Sequence, residues 1–308
     1  MTDSPFPVNN RPVGQEPDRS VQLLRSGCKV NLYLEIGDKR ADGYHNLLSL
    51  FYPLPRPFDQ LFIAPAEAGC SLTCSRRDLA GADNILLKAY RAFSAATGFH
   101  PPLALHLEKN VPVGAGLGGG SANAAVFLNW LNVQAGEKGL AADELAQVAL
   151  SLGADVPFFL LGRPAWVEGI GQKIFPADIR LRASGLIVHP DIVINTAWAY
   201  RELDKVRQEQ RADLTTSLSQ QYRHKFGNGT WLYNSFEPLV FKAYPELGRV
   251  KEALLGFGSD GCVLSGTGAS LFSIFSSRYF LRRAAEYLRQ SRYSFTIVRL
   301  DTGVSPSW

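Results

Sequence analysis

Five glycines crowded between a proline and an apolar run constrain this chain more than any other feature: Pro112-Val113-Gly114-Ala115-Gly116-Leu117-Gly118-Gly119-Gly120-Ser121-Ala122-Asn123-Ala124-Ala125. Glycine accepts positive φ and lets backbone N–H groups come close to a ligand. A helix starting near Ser121 turns its unpaired donors and positive dipole end toward the same point, so the join is expected to bind an anion. Residues 122–131 are apolar almost all round, which predicts a buried helix with a rigidly held N-terminus. Three well-known glycine loops do not fit. A Walker A loop needs Lys after its last glycine, and Ser121 follows Gly120. Gly114, Gly116 and Gly119 have the spacing of a dinucleotide fingerprint, but the region around Glu137, where an acidic residue should close a second strand, reads as a loop between helices. A protein-kinase loop wants Val two places after Gly119, where Ser121 stands.

Upstream, Val30, Leu32, Leu34 and Ile36 alternate with Lys29, Asn31, Tyr33 and Glu35, the pattern of a half-buried strand. Lys29 and Asn31 on its polar side are either solvated or turned toward a site. A turn-rich loop, 37–43, leads into a second strand from Tyr44 to Phe51, so Tyr44 and His45 stand at a loop mouth, as packing groups or as a ring and an imidazole for a nucleobase. Residues 58–73 read as further strand. Asp83 is the expected cap of a helix over 83–93, and Leu103–Leu107 alternates again before the glycine loop. A helix over 143–152 stops at Gly153, and Asp155 follows at a turn, as a cap for the next short segment or as a functional carboxylate. Gly162–Gly171 reads as a hairpin.

At 308 residues the chain suggests two domains, divided here as 21–178 and 179–308. The second half begins with a strand at 185–190, and Thr196–Tyr200 opens a helix. Residues 204–229, with His224 and Lys225, look polar and irregular, and Asn234 begins another helix. Ser265-Gly266-Thr267-Gly268-Ala269-Ser270, between two apolar runs, is a tight turn or a second glycine loop. A last helix, 279–290, and a strand, 295–300, close the pattern. Residues 1–20, with four prolines, read as a mobile tail. The 32 basic and 28 acidic residues give +4 with no basic block, which argues against a nucleic-acid partner. Cys28, Cys70, Cys74 and Cys262 have neither metal-ligand spacing nor a paired framework, as expected in a reducing cytoplasm. No apolar run is long enough for a bilayer span, and the N-terminus lacks a signal-peptide pattern.

Three segments together resemble the superfamily of galactokinase, homoserine kinase, mevalonate kinase and phosphomevalonate kinase: Lys29–Leu32 with Ala41–His45, the loop from Pro112 to Ala125, and Ser265–Ala269. The Arg40–His45 and Gly153–Pro157 signatures are similar to the branch that phosphorylates a cytidine-diphosphate-linked polyol in non-mevalonate isoprenoid synthesis. The resemblance implies an α/β (α+β) two-domain small-molecule kinase, with a ribosomal-protein-like N-terminal domain, a ferredoxin-like C-terminal domain and the site in the cleft. It implies ATP and Mg²⁺, a cytoplasmic bacterial protein, and a monomer or weak homodimer. By the same resemblance Asp155 is the base and Lys29 its neighbour. Pro112, Gly114, Gly116, Leu117, Gly118, Gly119, Gly120, Ser121, Asn84 and Lys109 approach ATP, with Ser121 also the metal contact. Asn31, Tyr44, His45, Thr196, Tyr200, Gly266, Thr267 and Gly268 hold the acceptor. A kinase of mevalonate or homoserine and a nucleotide sensor without catalysis are the alternatives.

Overall fold

The computed structural model describes residues 21–209, 232–291 and 293–300. The expected tail and most of the irregular stretch, His224 and Lys225 included, lie outside them. The chain runs β1 (Gln22–Lys39), β2 (His45–Pro65), β3 (Cys70–Cys74), α1 (Ile85–Thr97), β4 (Leu103–Glu108), α2 (Gly119–Gln134), α3 (Ala142–Leu152), α4 (Val156–Leu161), β5 (Ala165–Gly169) and β6 (Lys173–Pro176). It continues with β7 (Ser184–His189), α5 (Thr196–Glu209), β8 (Tyr233–Asn234), α6 (Glu237–Ala243), α7 (Pro245–Gly256), β9 (Gly261–Leu264), β10 (Leu271–Phe275), α8 (Arg278–Arg289) and β11 (Ser294–Arg299).

The first sheet has the order β3-β4-β2-β1-β8, and the hairpin of β5 and β6 pairs onto β2. Its strand β1 departs from the half-buried expectation. Lys29, Asn31 and Tyr33 are as buried as Val30 and Leu32, at 4%, 2% and 6% exposure. The alternation is real, but both faces are covered. Val30 and Leu32 share an apolar cluster with Ile187, Val263 and Phe272 of the second sheet, while Lys29 faces Asp155 at the start of α4. The glycine-led helix α2 is buried along most of its length, as its composition demands.

The second sheet has the order β11-β7-β10-β9 with antiparallel neighbours throughout. Numbered within the half, that is 4-1-3-2, the ferredoxin-like arrangement of a split βαβ unit. Asn234 does not start a helix. It lies in β8, which runs parallel to β1 with Tyr33 opposite Tyr233 and Leu34 opposite Asn234, so the second half contributes a strand to the first sheet. Residues 204–209, expected to be irregular, continue α5. Among the described residues no helix is long and apolar enough to cross a membrane.

Candidate active site

The glycine loop is anchored before it begins. Asp59, wholly buried on β2, accepts the N–H groups of Asn110 and Val111 on Oδ1, each at 2.7 Å. Its other oxygen pairs with the Lys109 ammonium, which also donates to Val111 O at 3.0 Å. Sequence reasoning missed Asp59, whose partners lie about fifty positions away. Beyond this anchor Gly116 and Gly118 take φ of +77° and +67°, which L side chains rarely adopt. Gly118 caps α2, so the helix opens at Gly119, two residues before the expected Ser121. The first-turn N–H groups there have no intrahelical partner.

A cavity of about 480 Å³ opens over this turn. The loop residues assigned above to ATP line it together with Asn84 and Lys109, and so do Asp78 and Leu79, which the sequence did not single out. Two of the expected contacts are already engaged. Asn84, not Asp83, caps α1: its Oδ1 accepts from Leu86 N at 2.9 Å and its Nδ2 donates to Leu79 O at 2.7 Å. Lys109 is committed to Asp59. Both therefore shape the cavity wall, and the first turn of α2 presents the N–H groups without an intrahelical partner.

Lys29 and Asp155 meet beside the loop, with Nζ 3.6 Å from Oδ2. Asp155 precedes α4 but makes no side-chain cap bond, so its carboxylate is directed at Lys29 and not spent on the helix. The Lys29 ammonium donates to Asn31 Oδ1 at 2.7 Å and lies over the Phe51 ring, 4.3 Å from its centre. Asn31 Nδ2 in turn donates to Ser49 Oγ at 2.9 Å, which fixes the amide with its oxygen toward Lys29. The Lys29 backbone N–H donates to Leu117 O at 2.9 Å, tying the same residue to the glycine loop. A Cβ on Gly118 would lie 3.2 Å from Lys29 Cγ and 3.1 Å from the Phe159 ring, so loop, lysine and α4 close on one another.

The second glycine run is more than a turn, because it packs on the first. Ser265 Oγ donates to Gly116 O at 2.9 Å, and a Cβ on Gly116 would fall 1.9 Å from Ser265 O. Gly266 lies against Gly116 and near Asn31 Oδ1, while Asn234 Nδ2 donates to the Leu264 and Gly266 carbonyls at 2.8 and 2.7 Å. Thr267 and Thr196 share a hydroxyl contact at 3.1 Å, and Gly268 follows at φ +94°. At the other end of β1 the two loop-mouth residues part. Tyr44 is 62% exposed, whereas His45 is buried, with its ring centre 5.2 Å from that of Tyr200. Burial pushes the Tyr200 phenol up, and the Asp155 carboxylate adds to the shift, so the phenol stays neutral. Asp204, also missed by the sequence reading, bonds His45 Nε2 at 2.7 Å.

The GHMP kinases N terminal domain matches residues 84–163, and the GHMP kinases C terminal domain matches residues 223–294. The 4-diphosphocytidyl-2-C-methyl-D-erythritol kinase of Solidesulfovibrio magneticus is 46% identical over 265 residues, 83% of this chain and 89% of that protein. That of Nitratidesulfovibrio vulgaris is 44% identical over 271 residues, 86% and 94%. A crystal structure of 4-(cytidine 5'-diphospho)-2C-methyl-D-erythritol kinase superposes with a TM-score of 0.73 at 31% identity, over 90% of this chain and 99% of that one. Homoserine kinase from Cytophaga hutchinsonii, at 17% identity and a TM-score of 0.68 over 94% of this chain and 98% of that one, shares the fold. Likeness at this identity and over this much of the length means that the chain belongs to the 4-diphosphocytidyl-2-C-methyl-D-erythritol kinase family of the GHMP kinases.

Proposed function

We propose that this protein transfers the γ-phosphoryl group of ATP to the 2-hydroxyl of 4-diphosphocytidyl-2-C-methyl-D-erythritol, a step of non-mevalonate isoprenoid synthesis. The observation that carries the reading is the Lys29–Asp155 pair, 3.6 Å apart, set between the first turn of α2 and the Tyr200 side of the cleft. Phosphoryl transfer needs positioning and charge stabilisation more than covalent chemistry. The N–H groups at the start of α2 hold the nucleotide's phosphates, Asp155 takes or orients the proton of the attacking hydroxyl, and Lys29 offsets negative charge beside it. Asn31 keeps the ammonium aimed, and Tyr44, His45 and Tyr200 form the cytidine end, with Thr196 and the Gly266–Gly268 loop between.

Among the described residues no group of three or more His, Cys, Asp or Glu converges into a metal cage. That suits a cation carried by the nucleotide, since Mg²⁺ commonly keeps its waters and binds through substrate phosphates with few protein ligands. Mg²⁺ would neutralise phosphate charge there, and Ser121, in the first turn of α2, would be the hydroxyl that meets it. In this reading the protein is cytoplasmic, a monomer or weak homodimer with a small-molecule acceptor, and its ATP and acceptor domains divide near residue 178. A coupled ADP-release assay with the diphosphocytidyl acceptor, mevalonate and homoserine tests the assignment. Turnover with the first alone is expected, and turnover with either of the others at equal efficiency would reject it.

A further inference from the structure

Asp204 sits on α5 one helical turn beyond Tyr200, where i and i+4 side chains share a face. Its Oδ1 lies 2.7 Å from His45 Nε2 and its Oδ2 lies 2.7 Å from Lys39 Nζ. Burial alone would raise this carboxyl, but the hydrogen bonds from Lys39 and His45 outweigh it and hold the group below its ordinary range. An ionised carboxylate only accepts hydrogen bonds, so His45 Nε2 must be the donor. The neighbourhood is anchored by backbone as well: farther along α5, Arg207 donates to Gly37 O at 2.7 Å and to Ile36 O, which docks the helix on the end of β1 that carries Lys39. The His45 ring is supported by Tyr200, itself edge-on to Phe236 at 5.0 Å.

We propose that Asp204 is a positioning residue that sets base specificity: by keeping the His45 proton on Nε2 it leaves Nδ1 as an acceptor, the complement of the exocyclic amine of cytosine and a mismatch for the carbonyl of uracil. A neutral imidazole has one donor and one acceptor nitrogen, so fixing one fixes the other. The inference rests on the assignment of His45 and Tyr200 to the pyrimidine made above. It adds a residue that touches no substrate and acts through His45.

The test is calorimetric titration of the full chain with CDP and with UDP. Wild-type protein is expected to prefer CDP by roughly tenfold or more, the usual scale for a base-edge contact. In Asp204→Asn, Lys39 can only donate, so the amide turns its oxygen to Lys39 and its NH₂ to Nε2. The His45 proton then moves to Nδ1, and the CDP preference falls toward unity or reverses while ATP affinity is unchanged. Adding Lys39→Met frees the amide to turn its oxygen back to Nε2, and the preference for CDP returns, a rescue that a merely structural role would not produce. The wild-type protein gives an independent readout: ¹⁵N spectra of labelled histidine should identify His45 as protonated on Nε2 and bare on Nδ1. A His45 protonated on Nδ1, or an unchanged CDP to UDP ratio in a folded Asp204→Asn that still binds ATP, overturns the inference and leaves the kinase reading standing. Failure of wild-type protein to bind CDP at all removes the cytidine assignment, and the inference with it.

Discussion

Gly120 offers a substitution in which stability and ligand binding should move in opposite directions. A Cβ built on Gly120 meets nothing within 4 Å, and the residue lies in the first turn of α2 and lines the cavity. Alanine there suits the helix and is worth up to about 1 kcal/mol over glycine. The same methyl occupies the space through which a phosphate would approach the helix N–H groups. Losing one hydrogen bond to a charged group costs about 1.5–3 kcal/mol, which at 1.4 kcal/mol per decade weakens ATP by roughly ten- to a hundredfold. Gly116→Ala is the opposite case. Its Cβ would fall 1.9 Å from Ser265 O, in a backbone with φ +77°. The left-handed backbone costs about 1–2 kcal/mol and the broken Ser265–Gly116 hydrogen bond about 0.5–1.5, before any displacement of the second loop. Thermal unfolding and the ATP KM at saturating acceptor are to be measured for both variants. The expected pattern is an unchanged or raised Tm with a raised KM for Gly120→Ala, and a lowered Tm for Gly116→Ala. A Gly120→Ala protein with unaltered KM for ATP would refute the placement of the phosphates at the start of α2.

Asp155→Ala should stay folded with a lowered Tm, because the buried Lys29 ammonium loses its carboxylate and keeps only Asn31 Oδ1 and the Phe51 ring, yet lose at least about 10²-fold in kcat; near-normal turnover of the folded variant would remove Asp155 from the chemistry. Tyr44→Ala, at an exposed position, should raise KM for the cytidine acceptor well above any change for ATP at constant stability; equal effects on both would count against stacking. Asp59→Leu strands the buried Lys109 ammonium and should destabilise by about 3–5 kcal/mol in urea titrations; a loss below about 1 kcal/mol would mean that the pair is not the anchor of the loop. Burial pushes the His189 imidazole down to about 4, against about 6.5 when unfolded, so the folded state binds fewer protons between those values. Stability from this group is therefore full above pH about 6.5 and is lost as pH falls to about 4, by about 3 kcal/mol, and His189→Gln should flatten that part of the urea midpoint against pH profile.

What the sequence made legible was local. The glycine loop, the buried helix after it, the hairpin that begins within Gly162–Gly171 and the β7 strand each follow from neighbours a few positions apart, although the helix opens two residues early at Gly119 and the hairpin's second strand, β6, lies beyond Gly171 at Lys173–Pro176. What it hid depends on distant chain. The polar side of β1 alternates as a solvated face would, but Asp155 and Ser265 cover it from more than a hundred residues away. Asp59, Asp204 and Asn234 looked like unremarkable polar residues because their partners are the loop start, His45 and the second glycine run. The choice between Asp155 as a helix cap and as a functional carboxylate was open for the same reason. The structure removes the cap reading, since Asp155 makes no cap bond and faces Lys29 instead.

This distinction also divides the glycines of the central loop by purpose. At Gly116 a side chain is excluded by Ser265 O, at Gly118 by Lys29 and Phe159, and at Gly119 by Val111, whose Cγ1 would lie 2.7 Å from an added Cβ. Those absences of side chain let three parts of the protein close together: the second loop, Lys29 with α4, and the strand end held by Asp59. They would be required even with no nucleotide bound. Gly120 alone among these faces open space at the helix start. The glycine-rich loop is thus mostly an assembly joint between these parts, and a phosphate bound at the helix start would itself favour glycine at Gly120.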